Sequence, residues 1–482
     1  MDRLAEKYDL RKAGLFYLDI YPIKGVTTLV VVDADVAAQV TQGKTTWHKH
    51  PAMGEEFGRA IGPRGLVLQE DEEWKELRTM FNPGFSAANL MSMVPMLVEE
   101  GEIFTSRLSK LAAVDGGFVR SMDSVAAALT VDIIGQALLG VKFHTQTTPR
   151  GTLVSSIIET SRLVKTLTNI SLERFNLWRL AKVRYYDYLA NSELSSVLLK
   201  KWEELVAAPE AAQKSNVIFD IAMDKYMRRG GKLEGEISKD FLEVMRDNVK
   251  TFIFAGHDTT SATITWALYT LSKYPECLAE LRKEHDEVLG LDPDEAGKRL
   301  IADPHLANSL PYTTAVLREI MRIFSPASSA RQAPPGSFIT GRDGKPYSTD
   351  DVLIWISSFV IMNDPAHFPE PHRFMPERFL PERSPFPAIA KNAYRPFEKG
   401  ARDCVGQELA MLEGRVILAL TVRRFDFREA YDHLDGLLGR APPPVYAGCA
   451  DYGERAYQVL LTAAKPKDGL PMWVRERPKG NV

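Results

Sequence analysis

The residues best placed to do chemistry in this 482-residue chain lie in one short run, "PFEKGARDCVGQELA", from Pro396 to Ala410. Cys404 stands there between Gly400 and Gly406, just ahead of what reads as a helix start. A helix N-terminus aims free N–H groups and a positive dipole end at the sulfur, which lowers the thiol pKa and favours thiolate. Gly400 and Gly406 suit a backbone that needs positive φ or must lie flat against something bulky. No CxxC and no HxxxH accompanies the cysteine, so a four-ligand zinc site is not available. Taken alone, a free cysteine is more often inert core than reagent. As a thiolate it has two roles open, axial metal ligand or nucleophile beside a histidine base.

Four further stretches carry reactive or charged groups at regular spacing. Glu319 and Arg322 in "TTAVLREIMRIF" lie one helical turn apart and, alone, read as a solvated pair. "FMPERF" supplies Arg378 downstream. "AGHDTT", from Ala255 to Thr260, sets small residues, an acid and hydroxyls inside a helical pattern, where the plain reading is a packing notch with back-bonded threonines. Trp74 and Arg78 in "EEWKELRTMFNPGF" share a helix face, a commonplace pairing by itself.

The elements that must position these groups follow from periodicity. "GLFYLDIYPIKGVTTLVVVDA" is β-branched, aromatic and broken by Pro and Gly, so it reads as two short strands. From Ser86 to Phe324 apolar residues recur at three- and four-residue intervals, which is a helical body. One helix, from Asp240 to Tyr274, is about 35 residues or roughly 50 Å long and must be largely buried. After Ser325, "RQAPPGSFITGRDGKPYSTDDVLIWISS" reads as hairpins, a helix follows Cys404, and "PPPVYAGCADYGERAYQVLLTAA" reads as strand. The predicted fold is mainly α with small peripheral sheets, in a single large domain spanning 1–482, since no linker, repeat or low-complexity run divides the chain.

Composition narrows the class. With 45% hydrophobic and 26% charged residues the chain is globular, and a net charge of −3 with pI near 6.4 gives no global pull toward nucleic acid. Cys277, Cys404 and Cys449 are odd in number and far apart, which argues for free thiols in a reducing compartment. The first residues hold neither a signal peptide nor about 20 uninterrupted apolar residues.

Phe397, Gly400, Arg402, Cys404 and Gly406 match F-x-x-G-x-R-x-C-x-G, and through them the chain resembles the cytochrome P450 family. Chance agreement at five fixed positions is on the order of one in ten thousand for such a length. The resemblance implies that Cys404 thiolate binds the iron of haem b, with Phe397 beside the sulfur and Arg402 on a haem propionate. It further implies a buried triad of Glu319, Arg322 and Arg378, and propionate contacts from Trp74, Arg78 and Arg331. "AGHDTT" resembles the family's A-G-x-D/E-T-T. There Ala255 and Gly256 would leave space for dioxygen, and Asp258 and Thr259 would relay protons through water. His257 falls at the variable position and takes a structural role.

The texture from "GLFYLDIYPI" to "HFPEPHRFMPERF" resembles the microsomal, fungal biosynthetic branch. That implies a monomeric monooxygenase acting on a small hydrophobic substrate, with electrons from a separate NADPH-cytochrome P450 reductase and cytochrome b5 as a second donor. Residues after Leu461 read as a short polar tail with no flavin domain. By the resemblance the expected place is the cytosolic face of the endoplasmic reticulum, with peripheral membrane contact; the family's N-terminal membrane anchor is absent from this sequence, and if that lack is genuine the expected place is the cytoplasm. Arg395, Lys399, Lys75 and Arg78 are the expected reductase-facing cations. The pocket is expected from Trp47 to Phe57, Phe254, Ala255 and "SPASSA", Ser325 to Ala330. A haem-thiolate isomerase or dehydratase and a haem sensor are the alternatives.

Overall fold

The computed structural model describes residues 7, 9–19, 26–43, 47–149, 151–163, 177–228, 237–441, 455–460 and 463–478. Five strands form the largest sheet: β1 (Leu15–Leu18), β2 (Thr27–Val31), β3 (His48–Lys49), β4 (Ser329–Gln332) and β5 (Val352–Ile356), in the order β1-β2-β5-β4-β3. Among the described residues only β2 and β5 run parallel, Val31 opposite Ile356. Their continuous apolar runs follow from burial on both faces. Leu29 and Val31 pack into one cluster, and Val30 packs into another on the opposite face. The outermost pairing, β3 with β4, sets Lys49 directly opposite Arg331.

The helical body is built from α1 (Asp71–Phe81), α2 (Val94–Ala112), α3 (Met122–Leu139), α4 (Leu177–Ala207), α5 (Lys239–Lys273), α6 (Pro311–Ile323) and α7 (Gln407–Thr421), with shorter helices between them. Helix α5 starts where Ser238 accepts the Phe241 N–H at 3.1 Å, one residue before the predicted start. Its 35 residues span about 50 Å, and its middle is buried on nearly every side. Helix α3 is apolar all round because it too is interior. It is long and apolar enough to cross a membrane, yet 89% of it is buried against the rest of the protein. Gly256 of α5 permits the close crossing, since a Cβ there would touch Ile134 of α3.

Gly341 to Gly344 turn a hairpin between Phe338–Thr340 and Pro346–Ser348, as the Gly-Arg-Asp-Gly signal predicts. The chain end differs from expectation. β6 (Gln458–Leu460) lies in the stretch expected as strand, but beyond Leu461, in place of a polar tail, β7 (Ala464–Pro466) pairs with it and Met472–Glu476 pairs along Phe425–Glu429. The alternation "MWVRE" places Met472 and Val474 inside, a period-two signal easily hidden among charged neighbours. Cys449 and the rest of "PPPVYAGCADYG" lie outside the described residues.

Candidate active site

The cysteine loop is closed by hydrogen bonds rather than by packing alone. Cys404 N–H donates to Phe397 O at 3.0 Å, and Asp403 N–H to Gly400 O at 3.1 Å. Gly400 sits at φ 91°, where a Cβ would also run into the carbonyl oxygen of Thr41. Gly406 is different: at φ −88° it is the N-cap of α7, and its position needs no left-handed backbone. Its N–H bonds the Cys404 sulfur, as a helix start should. Burial nevertheless pushes the thiol pKa up, and outweighs the pull of the Gly406 N–H and of Arg78. The expected lowering is therefore not found. Cys404 is accessible to solvent, yet is surrounded closely enough by protein for burial to raise its pKa.

Beside this loop the chain gathers cations. Arg331 is 1% exposed, and its Nε and Nη1 have no hydrogen-bond partner among the described residues. Burial pulls its pKa down to about 10, with Glu398 opposing and Arg395 assisting. Lys49, which the sequence analysis places only within the expected pocket stretch Trp47 to Phe57, faces it across the strand pair, and burial followed by Arg331 and Arg402 holds its pKa well below the lysine range. Like charges directly opposite on a sheet destabilise it. Arg402 stacks over Trp74 at 4.5 Å and pairs with Glu70, while burial lowers its pKa to about 10. Arg78 reaches the loop from α1 and grips Asp403 through its carbonyl and carboxylate, both at 2.7 Å. A buried guanidinium with unmet donors, opposite a half-buried ammonium, is a receptor for an anion of two or more oxygens. The residues present fit the carboxylate edge of a haem whose iron would meet Cys404.

Behind the loop the structure brings Glu319, Arg322 and Arg378 together, all buried. Arg322 donates through Nε and Nη2 to the two Glu319 oxygens at 2.7 and 2.9 Å, and Arg378 Nε adds a bond of 3.0 Å. Met375 N–H completes the carboxylate at 3.1 Å. The guanidinium groups use their remaining donors on the carbonyls of Met362, Pro371, Pro369 and Glu370. One carboxylate thus fixes α6 against the chain from 362 to 378, and the pair read alone as solvated is fully desolvated.

On α5, Ala255 is accessible within an otherwise buried stretch, while a Cβ on Gly256 would meet Ile134 of α3. Thr259 donates to the Ala255 carbonyl at 2.8 Å. Asp258 is buried and pairs with Lys465 of β7 at 2.7 Å, a partner 207 positions away that no spacing rule finds. His257 is buried, bonds the Ile253 carbonyl at 2.7 Å, and burial lowers its pKa. Phe57, Ile61, Leu68 and Phe254 form a small apolar cluster beside this segment. Trp47 instead packs on the sheet core, and within "SPASSA" only Ala327 and Ser328 are accessible. The α5 segment and the cysteine loop approach each other across Phe85, which touches the Phe252 ring at 5.6 Å and lies against Gly406.

Arg395, expected on a docking face, is 1% exposed and spends its donors on Glu398, Asn392 and Thr41. Its role is to hold the cysteine loop. Exposed Arg318 and Lys391 lie nearer the surface there.

The sequence profile described as Cytochrome P450 matches residues 12–435. The chain is 37% identical to Cytochrome P450 monooxygenase acrF of Aspergillus aculeatus, across 96% of this chain and 95% of that protein. It is 32% identical to Cytochrome P450 monooxygenase polC of Polytolypa hystricis, across 95% and 80%. The crystal structure of the cytochrome P450DA heme domain superposes with a TM-score of 0.75 at 20% identity, covering 99% of this chain and 91% of that one, which establishes the fold. With the cysteine loop, the buried glutamate and its two arginines in place, the chain belongs to the cytochrome P450 family and is a monooxygenase of the oxidoreductase class.

Proposed function

We propose that the protein is a single-domain haem b monooxygenase that inserts one oxygen atom into a small apolar substrate in fungal secondary metabolism. Electrons come from a separate NADPH-dependent reductase, at the cytosolic face of the endoplasmic reticulum. The observation that carries this reading is the pairing of an accessible, desolvated Cys404 with the unpartnered, buried guanidinium of Arg331. Haem, when bound, supplies iron-centred activation of dioxygen. Cys404 would hold the iron, while Arg331, Lys49 and Arg402 would hold the propionates. Arg78 already has Asp403 and serves first to brace the loop.

The chain's own chemistry on the other side is proton handling. Thr259 carries a hydroxyl able to donate or accept once it leaves the Ala255 carbonyl, and Asp258 carries the nearest acid on the same helix. Apolar Phe57 and Phe254 favour a hydrophobic substrate and limit water. A reductase reading rests on exposed cations around the cysteine loop, Lys391 and Arg318, with Lys399 half-buried beside them.

The test is reconstitution with a fungal reductase and a screen of terpenoid, polyketide, alkaloid and fatty-acid ligands by spectral shift. With a substrate found, Thr259→Ala should keep NADPH consumption while product per NADPH falls and hydrogen peroxide rises. Substrate conversion without NADPH would overturn the monooxygenase reading in favour of an isomerase.

A further inference from the structure

Ser329, the first residue of β4, is 5% exposed, and its Oγ has no hydrogen-bond partner among the described residues. Buried hydroxyls are nearly always satisfied, because an unmet polar group costs free energy that packing does not return. Its neighbours do not supply a partner. Ser325 spends its own hydroxyl on the Ala327 carbonyl at 3.1 Å, closing the turn that leads into the strand. Directly opposite Ser329 on β5 stands Ile356, an apolar side chain of the sheet core. On the outer side, Lys49 ends β3 opposite Arg331, and the chain then turns into the helix Pro51–Ile61. Among the described residues no strand flanks Ser329 there.

Side chains alternate along a strand, so Ser329 and Arg331 share one face of β4 while Ala330 takes the other. They stand about 7 Å apart along it. Both carry donors that folding leaves unspent, the Ser329 hydroxyl and the Nε and Nη1 of Arg331. A merely space-filling residue at this place could be alanine, as position 330 is.

We propose that Ser329 is a further haem-holding residue, whose hydroxyl donates to the carboxylate edge that Arg331 receives. This rests on the reading that the cations beside the cysteine loop hold that edge. Carboxylate oxygens have lone pairs for several donors, so the hydroxyl adds to the guanidinium without displacing it. The bond is charge-assisted, and it draws negative charge off the edge of the group. Ser329 thereby serves both the retention of haem and the ease of its reduction.

The experiment uses the full chain, haem-free and haem-loaded, with Ser329→Ala, Ser329→Cys and Ser329→Thr. Cysteine keeps the volume and donates weakly, whereas threonine keeps the hydroxyl and suits a strand. In Ser329→Ala and Ser329→Cys, haem transfer to a competing apoprotein should show affinity weakened about 10-fold or more. The propionate bending mode in the resonance Raman spectrum should shift, and the reduction potential should fall. Ser329→Thr should return all three toward wild type. The urea midpoint of haem-free Ser329→Ala should be no lower than wild type, since an unmet donor has been removed. The same loss of haem affinity should appear when Ser329→Ala is made in an Arg331→Met background.

Unchanged haem affinity and Raman mode in Ser329→Ala overturn the proposal. So does a loss that disappears in the Arg331→Met background, because Ser329 would then act only through Arg331. If Ser329→Ala alters only the binding of an oxygenated ligand and not that of its hydrocarbon analogue, the hydroxyl serves substrate, and the proposal falls. An Arg331→Met protein of undiminished haem affinity takes down the reading of the site itself, whereas a weakened Arg331→Met beside an unaffected Ser329→Ala takes down this inference alone.

Discussion

Replacing Arg331 with methionine should change haem-free and haem-loaded protein in opposite directions. The guanidinium is 1% exposed, leaves Nε and Nη1 unpartnered, and faces Lys49 across a strand pair. An unsatisfied buried donor costs about 1–3 kcal/mol, and more where it is charged. Methionine keeps most of the side-chain length without polar atoms, so Arg331→Met should stabilise haem-free protein by about that amount. In the loaded protein the same side chain would give charge-assisted bonds worth about 1.5–3 kcal/mol each. Loss of one such bond weakens haem binding about 10- to 150-fold. Urea unfolding of haem-free protein measures the first effect, and haem transfer to a competing apoprotein measures the second. Arg331→Lys, which keeps charge without the planar fork, should fall between wild type and Met for haem affinity. A haem-free protein destabilised by Arg331→Met, or an unchanged haem affinity, would refute the reasoning.

Glu319→Gln puts an amide donor against two buried guanidinium groups. It should cost about 3–5 kcal/mol, seen as a lowered urea midpoint and little haem-loaded protein, whereas a near-wild-type midpoint would contradict the triad's bracing role. Gly400→Ala adds a side chain at φ 91° against the Thr41 carbonyl, so thermal unfolding and haem content should both fall by the equivalent of at least about 1–3 kcal/mol. Lys49 has a folded-state pKa depressed first by burial and then by Arg331 and Arg402, so the unfolded chain binds the extra proton. Stability of the haem-free protein should therefore rise with pH between that lowered value and the ordinary lysine range. The slope should vanish in Lys49→Met, and a retained slope would assign it to another group.

Local pattern made much of this molecule legible. The apolar spacing of "DFLEVMRDNVKTFIFAGHDTTSATITWALYTLSKY" marks α5 because a buried helix must repeat apolar contacts every turn. The Gly400 and Cys404 spacing marks the loop because a closed turn over a ligand tolerates few alternatives. What sequence could not disclose are groups whose meaning arises only on folding. Lys49 matters because β3 lies against β4, which is about 280 residues away, and Lys465 because β7 reaches the start of α3. Arg395 misleads for the same reason: charge predicts exposure unless Glu398 and Thr41 are seen to enclose it. Gly406 and Gly256 show that small residues serve caps and helix crossings as readily as open space.

The central claim is that Cys404 ligates haem iron as a thiolate on one side of a fold whose cations hold the propionates. The most direct measurement is the absorption spectrum of the reduced, carbon monoxide-bound protein. The thiolate-type Soret band should be present in wild type and lost in Cys404→His, because imidazole donates less charge to iron than thiolate does. A wild-type band of the imidazole type, or a thiolate-type band that survives Cys404→His, would contradict it.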